Sequence, residues 1–297
     1  MATRLQIAKP DIVSLFENRL PHVLHLKEIS LALNTNRAFW RLAKSTSLSS
    51  FVQFLLEKTA LKKVSLPFPH KPVSGYVWGD VPLLEMLLAL IEGSYYSHYT
   101  AMRLHGLTEQ VPRTLYISQE KPGATGTDPE HDAPFPQEAI DKAFRHEPRI
   151  SNNQVTLGGV RLVYLTGAHR AMLGVVEEKV NYDDAADLTL RFTNLERTLI
   201  DISVRPFYAG GIFEVAKAFE NAKDRFSVNQ LAAMLKRLNF GYPYHQAIGY
   251  YLERAGYKPS AVALLRKIPM ERDFYLTHGS AKTVYVKEWR LHVPEGF

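Results

Sequence analysis

Residues 48–78 read LSSFVQFLLEKTALKKVSLPFPHKPVSGYVW, and this stretch decides the fold of the N-terminal part. Its first portion, Leu48 to Leu61, predicts an amphipathic helix, because apolar residues recur there at helical spacing. Two strand-like runs follow, Lys62 to Phe68 and Tyr76 to Trp78, and the segment 69–75, which contains Pro and Gly, joins them as a hairpin loop. The apolar side of the helix consists of Leu48, Phe51, Val52, Leu55 and Leu56.

Shorter elements precede this stretch. They are predicted as a helix, a short extended piece and a second helix, at Asp11–Leu20, His22–Leu26 and Lys27–Leu33. A polar and basic stretch, Asn34–Ser47, leads into the helix that begins at Leu48. Helix, short strand, helix, helix and hairpin is the order of a winged helix-turn-helix domain. We expect this domain to span residues 1–80.

The polar side of the Leu48–Leu61 helix carries residue types that suit DNA. Short polar side chains on an exposed helix face can reach base edges in the major groove, whereas neighbouring basic side chains contact phosphates. The sequence therefore predicts two kinds of contact. The predicted groove residues are Ser49, Ser50, Gln53 and Lys58, and the predicted phosphate residues are Arg41, Lys44, Lys62, Lys63, His70 and Lys71.

The excess positive charge lies in the same segment. Residues 1–80 contain eleven Lys and Arg against five Asp and Glu, a balance of +6 that equals the formal net charge of all 297 residues. The rest of the chain is therefore neutral overall. A basic terminal segment joined to a neutral body favours a module that binds a polyanion. The alternative that the charge leaves open is a merely solvated basic face.

From Val81 onward the pattern indicates a larger domain of mixed α/β type, residues 81–297, which makes the whole chain α+β. A hairpin is predicted where two alternating runs flank Gly158-Gly159. Thr193 to Glu196 fits a capping box before the helix Leu195–Val204, at whose end Asp201 and Arg205 are spaced as an intrahelical ion pair. Lys121–Pro136 predicts a surface loop.

No arrangement of residues in the sequence requires an enzyme. The chain has no cysteine, so it has no thiolate metal site, and neither Gly158-Gly159 nor Gly210-Gly211 matches a phosphate-binding loop. Glu177-Glu178-Lys179 contains the E-x-K triplet of metal-dependent nucleases, but such a site also needs an acidic residue on a neighbouring strand. We rank a nuclease last and expect no catalytic residue, no metal and no cofactor.

Hydropathy predicts no membrane segment. The longest apolar run, Val81–Ile91, is far shorter than the roughly 20 residues that cross a bilayer, and the N-terminus has no apolar signal core. The absence of cysteine fits a reducing compartment. We therefore expect a cytoplasmic protein.

Several segments, in this order along the chain, resemble the AbiEi family of bacterial antitoxins and transcriptional regulators. The resemblance is carried by His98–Leu107 (HYTAMRLHGL), Pro112–Ile117 (PRTLYI), Thr193–Pro206 (TNLERTLIDISVRP), Gly210-Gly211 with Glu214-Val215, and Trp289–Pro294 (WRLHVP). It extends from about the predicted winged helix to the C-terminus.

The resemblance implies a winged-helix domain joined to an α/β antitoxin domain. Members of the family repress their own operon by binding repeats in its promoter. They also counteract a nucleotidyltransferase-type toxin encoded beside them without forming a stable complex with it, in type IV toxin–antitoxin systems linked to phage defence. The resemblance thus implies that the partner is double-stranded operator DNA, and it allows cooperative or dimeric binding to that DNA. It also implies a functional pairing with the toxin. The alternative is a protein-interaction module that sequesters a partner through residues 81–297.

Overall fold

A computed structural model describes residues 3–111, 113–123, 134–182 and 185–297. Twelve α-helices and three β-sheets lie within these ranges, so the fold is mixed α+β, as the sequence predicts. Most of the predicted loop Lys121–Pro136, and Pro112 of the PRTLYI segment, lie outside the described residues. In the described part of the chain, no helix has the length and apolarity needed to cross a membrane.

The N-terminal part contains the predicted order of helices and strands. Its elements are α1 (Arg4–Ile7), α2 (Lys9–Glu17), β1 (Val23–Leu24), α3 (Leu26–Asn36), α4 (Leu48–Lys58), β2 (Leu61–Leu66) and β3 (Val73–Trp78). Helix α4 ends before the predicted Leu61 because Leu61 pairs with Trp78 and begins strand β2. The hairpin loop is correspondingly shorter than predicted and spans residues 67–72.

The three N-terminal strands pair antiparallel in the order β1-β3-β2. Side chains alternate between the two faces of a sheet, and here both faces are covered. One face packs on α2, α3 and α4, where Trp78 stacks on Phe16 with ring centroids 5.0 Å apart. The other face contributes Val23, Leu66 and Val77 to a second core that it shares with the C-terminal part.

A six-stranded mixed sheet, ordered β6-β7-β5-β4-β9-β8, forms the centre of the C-terminal part. The pairs β5–β7 and β4–β9 are parallel and the others antiparallel. The predicted hairpin between β6 and β7 turns at Gly158 and Gly159, whose φ values of 56° and 81° favour glycine. The elements of this region are α5 (Leu83–Leu90), β4 (Ser94–Tyr96), α6 (His98–Leu104), β5 (Thr114–Glu120), α7 (Gln137–Arg145), β6 (Gln154–Leu157), β7 (Val160–Gly167), β8 (Val175–Tyr182) and β9 (Ala185–Thr193).

A helical layer and a small sheet complete the chain. The sheet has the order β10-β12-β11, and the indole of Trp289 beside it is fully buried. Gly249 allows this packing, because a Cβ atom at that position would lie 2.2 Å from the indole ring. The elements are α8 (Leu195–Val204), α9 (Ile212–Asn221), α10 (Val228–Leu238), α11 (Tyr244–Arg254), α12 (Pro259–Arg266), β10 (Phe274–Tyr275), β11 (Thr283–Val286) and β12 (Leu291–Pro294), with short 3-10 helices at Pro206–Tyr208 and Lys287–Trp289.

The boundary expected at residue 80 falls in the short connection between β3 and α5. Helix α5 packs against β1 and β3 on one side and against β9 on the other. Phe68, just beyond β2, is fully buried and meets Tyr164 of β7 edge to face, with ring centroids 5.4 Å apart. The N-terminal and C-terminal parts are therefore joined by a common hydrophobic core as well as by the chain.

Candidate nucleic-acid interface

Helix α4 buries one side and exposes the other. The side chain of Ser47 caps its N-terminus by accepting a hydrogen bond from the backbone N–H of Ser50 at 3.1 Å. The buried residues are Phe51, Val52, Phe54 and Leu55. Ser49, Ser50 and Gln53 are exposed. The helix therefore presents a strip of short polar side chains that begins at its first turn.

Among the described residues, these exposed polar groups form hydrogen bonds within α4 or with its N-cap, Ser47. The Ser50 hydroxyl donates to the carbonyl of Ser47 at 2.9 Å, and Gln53 Nε2 donates to Glu57 Oε1 at 2.5 Å. Exposed local hydrogen bonds of this kind exchange for bonds to a ligand at small net cost. Glu57 would repel phosphates, so the N-terminal half of α4 is the half that suits a polyanion.

The stretch that leads into α4 is folded onto the domain. Trp40 is buried and stacks on Phe51, with ring centroids 5.7 Å apart. The guanidinium of Arg37 donates to the carbonyl oxygens of Ala43 and Thr46, at 2.8 and 3.1 Å, and so closes the loop on itself. The guanidinium of Arg37 is thus engaged by these carbonyl groups. Arg41 and Lys44 are exposed and are the other cations of the stretch that leads into α4.

Lys62 and Lys63 lie next to each other on β2 but point to opposite faces of the sheet. Leu61 belongs to the core on the helical face and Leu66 to the core on the α5 face. By alternation, Lys63 lies on the helical face and Lys62 on the α5 face. Lys62 Nζ pairs with Asp80 Oδ1 at 2.7 Å. The two lysines, predicted from sequence as one pair of phosphate contacts, therefore have different surroundings.

The hairpin loop is anchored to the C-terminal part. The backbone N–H of His70 donates to Asn153 Oδ1 at 3.3 Å, and His70 Nε2 is 2.8 Å from Asn152 Oδ1. Asn153 is itself buried and donates from Nδ2 to the carbonyl of Tyr164 at 3.1 Å. His70 is therefore engaged by a protein partner, whereas Lys71 beside it is exposed.

All ten residues predicted to contact DNA are exposed. They divide into a polar group on α4, a set of cations and two residues held by protein partners, Lys62 and His70. The cations have no acidic side chain within salt-bridge distance among the described residues. They are Arg41, Lys44, Lys58, Lys63 and Lys71. Lys58 lies in the last turn of α4, where a positive charge also stabilises the helix dipole.

A buried ion pair in the C-terminal part was not predicted from the sequence. Arg197 Nε donates to Asp201 Oδ1 at 2.7 Å, and its Nη1 donates to the carbonyl of Leu173 at 2.7 Å. Burial opposes the charge of Arg197, but the carboxylate of Asp201, together with Tyr95 and Glu120, outweighs burial and raises the pKa of the guanidinium. Arg205, which the sequence predicts as the partner of Asp201, lies beyond the end of α8 and is exposed. The helix itself is capped by Asn194, whose Oδ1 accepts from the Arg197 N–H at 2.9 Å.

Glu120, at the end of β5, holds the loop that receives Arg197. Its side chain is 6% exposed, and Oε2 accepts hydrogen bonds from the backbone N–H groups of Arg170 and Met172 at 2.6 and 3.1 Å. Residue types alone did not indicate this role. Oε2 of Glu120 thus fixes the backbone of this loop.

His98 and His105 both fill structural positions at the two ends of α6. Burial lowers the pKa of His98 well below its usual range, and Nδ1 lies 2.8 Å from the Ser97 hydroxyl. His105 Nε2 lies 2.7 Å from the carbonyl oxygen of Thr193. These contacts give both histidines a role in the packing of the fold.

The E-x-K triplet lies on the edge strand β8. Glu177 is 3.7 Å from Arg191 on the paired strand β9. No group of three or more His, Asp or Glu side chains suited to a metal ion occurs among the described residues.

No protein-family model matches the chain, and no curated protein matches it in sequence. A crystal structure of the Rv2827c protein from Mycobacterium tuberculosis has a similar fold, with a TM-score of 0.59 and 16% sequence identity. The match covers 97% of this chain and 91% of that chain. At this identity the likeness shows a common fold over nearly the whole chain and carries no functional assignment.

Proposed function

We propose that residues 1–80 form a winged helix-turn-helix domain that binds double-stranded DNA, and that the protein represses its own operon. The observation that carries the proposal is α4, which offers Ser49, Ser50 and Gln53 from an N-capped, exposed surface. The cations that flank it have no acidic partner within the described part of the chain. The order of elements, with two helices followed by a hairpin, supports the same docking geometry.

The proposed contacts divide by chemistry. Ser49, Ser50 and Gln53 face base edges in the major groove, because hydroxyl and amide groups both donate and accept hydrogen bonds there. Arg41, Lys44, Lys58, Lys63 and Lys71 contact phosphates or the groove margin. Lys62 and His70 stand outside this set, because Asp80 and Asn152 hold them.

Fluorescence anisotropy tests the proposal directly. The full chain is titrated against a duplex from upstream of its own gene and against a scrambled duplex, at several salt concentrations. We expect preference for the native duplex and a log–log salt slope of about −0.9 for each phosphate contacted. Equal, weak binding of both duplexes would reject sequence-specific binding. Affinity that does not change with salt would reject the phosphate contacts.

Replacing Gln53 with alanine separates base reading from phosphate binding. We expect Gln53→Ala to change the ratio of affinities for two related duplexes, with about 1–3 kcal/mol of discrimination at stake. Gln230→Ala, which alters an exposed glutamine on α10, is the matched control. A Gln53→Ala protein that keeps wild-type discrimination would place the reading surface outside α4.

The antitoxin role belongs to the same proposal and is supported by the resemblance to the AbiEi family. We propose that the protein counteracts a nucleotidyltransferase-type toxin encoded beside it, without stable binding to that toxin. Co-expression with the neighbouring gene product should restore growth, and a pull-down of the full chain should not retain that product. Retention of the product in stoichiometric amounts would instead favour the alternative, a protein-interaction module that sequesters its partner.

A further inference from the structure

The turn between α3 and α4 holds an aromatic side chain in solvent. Phe39 is 71% exposed, although the turn around it is fixed. Its neighbours Trp40 and Leu42 are buried, and Trp40 stacks on Phe51 near the start of α4. A single exposed apolar side chain is common on protein surfaces, so the surroundings of Phe39 decide whether it has a role.

The backbone of this turn places a residue other than glycine in the left-handed region. Arg41 has a φ of 51°, and its N–H donates to the carbonyl of Ala38 at 3.0 Å. The N–H of Leu42 donates to the carbonyl of Arg37 at 3.0 Å. This is the Schellman pattern that ends a helix, and glycine is the usual residue at its left-handed position. The chain therefore keeps an exposed cation where glycine would be less strained.

The segment that contains Phe39 is cationic. Residues 29–56 contain no Asp or Glu, and they contain Arg37, Arg41 and Lys44. A partner that contacts Phe39 must therefore tolerate positive charge beside an apolar group. Duplex DNA offers this combination in its major groove, where the C5-methyl group of thymine lies between two lines of phosphates.

We propose that Phe39 contacts the C5-methyl group of a thymine in the major groove, and that Arg41 contacts a phosphate beside it. The inference rests on the proposed function, which places the first turns of α4 in that groove. The stacking of Trp40 on Phe51 fixes the turn beside the start of α4. Phe39 then adds a preference for thymine next to the bases that α4 reads.

A duplex in which deoxyuridine replaces thymidine tests this contact, because the two nucleosides differ by the methyl group alone. Fluorescence anisotropy compares the duplex from upstream of the gene with its uracil form. We expect the unaltered chain to bind the thymine form about fourfold more tightly, the effect of one buried methyl group. Phe39→Ala should bind the thymine form less tightly than the unaltered chain does, and should bind both forms alike.

Two further variants separate this contact from other effects. Leu31→Ala removes an apolar side chain that is 61% exposed on α3, about two helical turns before Phe39, and should keep both affinity and thymine preference. Arg41→Gly should weaken binding of both forms by the same factor, because it removes a phosphate contact, and should keep the thymine preference and the melting temperature. Circular dichroism verifies that each variant is folded.

A thymine preference that persists in Phe39→Ala would overturn this inference and leave the proposed function intact. Equal binding of the two forms by the unaltered chain would overturn it as well. A loss of affinity in Leu31→Ala as large as that in Phe39→Ala would show instead that the exposed side of α3 contacts a protein. If the unaltered chain does not distinguish the native duplex from a scrambled one, the proposed function fails and this inference fails with it.

Discussion

Asp201 lies four residues after Arg197 and four residues before Arg205, so the sequence alone allows either arginine as its partner. Tertiary packing decides between them, because Arg197 is buried within reach of both Asp201 and the Leu173 carbonyl, whereas Arg205 follows the end of the helix. Removing one partner from a buried pair leaves an uncompensated charge, which costs far more than the pair contributes.

We therefore expect Asp201→Ala to lower the free energy of unfolding by about 3–5 kcal/mol, as measured by urea denaturation. Glu220→Ala, which breaks the exposed pair between Lys217 and Glu220, is the control and should change stability little. Similar small losses in both variants would show that the Arg197 charge has another partner.

Buried imidazoles predict how stability depends on pH. Burial lowers the pKa of His245 to about 4 and also lowers that of His98. In the unfolded chain each ring takes up a proton below about pH 6.5, whereas His245 in the folded chain stays neutral down to about pH 4. Within this window the unfolded state binds more protons, so stability is greatest above pH 6.5 and falls as pH falls.

We expect the titration of His245 to change the free energy of unfolding by about 1.4 kcal/mol per pH unit within that window. Urea unfolding at a series of pH values between about 7 and 5 measures it. His245→Phe should flatten the dependence, and His146→Gln, at an exposed histidine, should not. An unchanged pH dependence in His245→Phe would contradict the assignment.

At the scale of elements, strand β2 shows how one sequence pattern yields two environments. Lys62 and Lys63 are adjacent, yet the strand directs Lys63 to the face packed on the helices and Lys62 to the face packed on α5. Asp80 neutralises Lys62. Of the two lysines, Lys63 is therefore the one that is exposed on the helical face of the sheet, where α4 packs.

Single alanine variants of these lysines should differ in their effect on DNA binding. We expect Lys63→Ala to weaken all duplexes alike and to reduce the salt slope by about one contact, whereas Lys62→Ala should change affinity little. Salt-dependent anisotropy on the two variants side by side measures the difference. A larger loss in Lys62→Ala would place the DNA on the α5 face of the sheet.

At the scale of the whole molecule, the boundary near residue 80 does not separate two cores. Leu66, Phe68 and Val77 from the N-terminal sheet share a core with α5 and the six-stranded sheet. The hairpin loop is bonded to Asn152 and Asn153 as well. Removing residues 81–297 would expose this whole apolar face to water.

We expect the fragment 1–80 to be markedly less stable than the full chain, and the full chain to unfold in one transition. Scanning calorimetry of both measures this. Phe68→Ala in the full chain should lower the free energy of unfolding by about 3–5 kcal/mol, because it empties a buried site between the two parts. A fragment that melts at the temperature of the full chain would show two independent domains.

Much of the fold followed from local spacing. The apolar repeat in Leu48–Leu61 predicted α4, which ends at Lys58, and its exposed Ser49, Ser50 and Gln53, and Gly158-Gly159 predicted the β6–β7 hairpin. Three strands were not predicted. β4 is only three residues long, β8 contains the exposed Glu177-Glu178-Lys179, and β11 depends on pairing with β12. β4 pairs with β5 and β9, which are distant in the chain, whereas β8 and β11 each pair with the next strand in sequence. In all three cases pairing, and not the periodicity of the segment itself, makes the strand.

The sequence by itself determined the mixed α+β class, the excess of positive charge in residues 1–80 and the amphipathic character of α4. These properties depend on residue type and on neighbours within a few positions. Only the tertiary structure decided that Asp80 holds Lys62, that Asn152 engages His70, that Arg197 pairs with Asp201, and that His245 is buried. The physical reason is that burial and partner choice arise where distant segments pack together, and a single chain pattern allows several such partners.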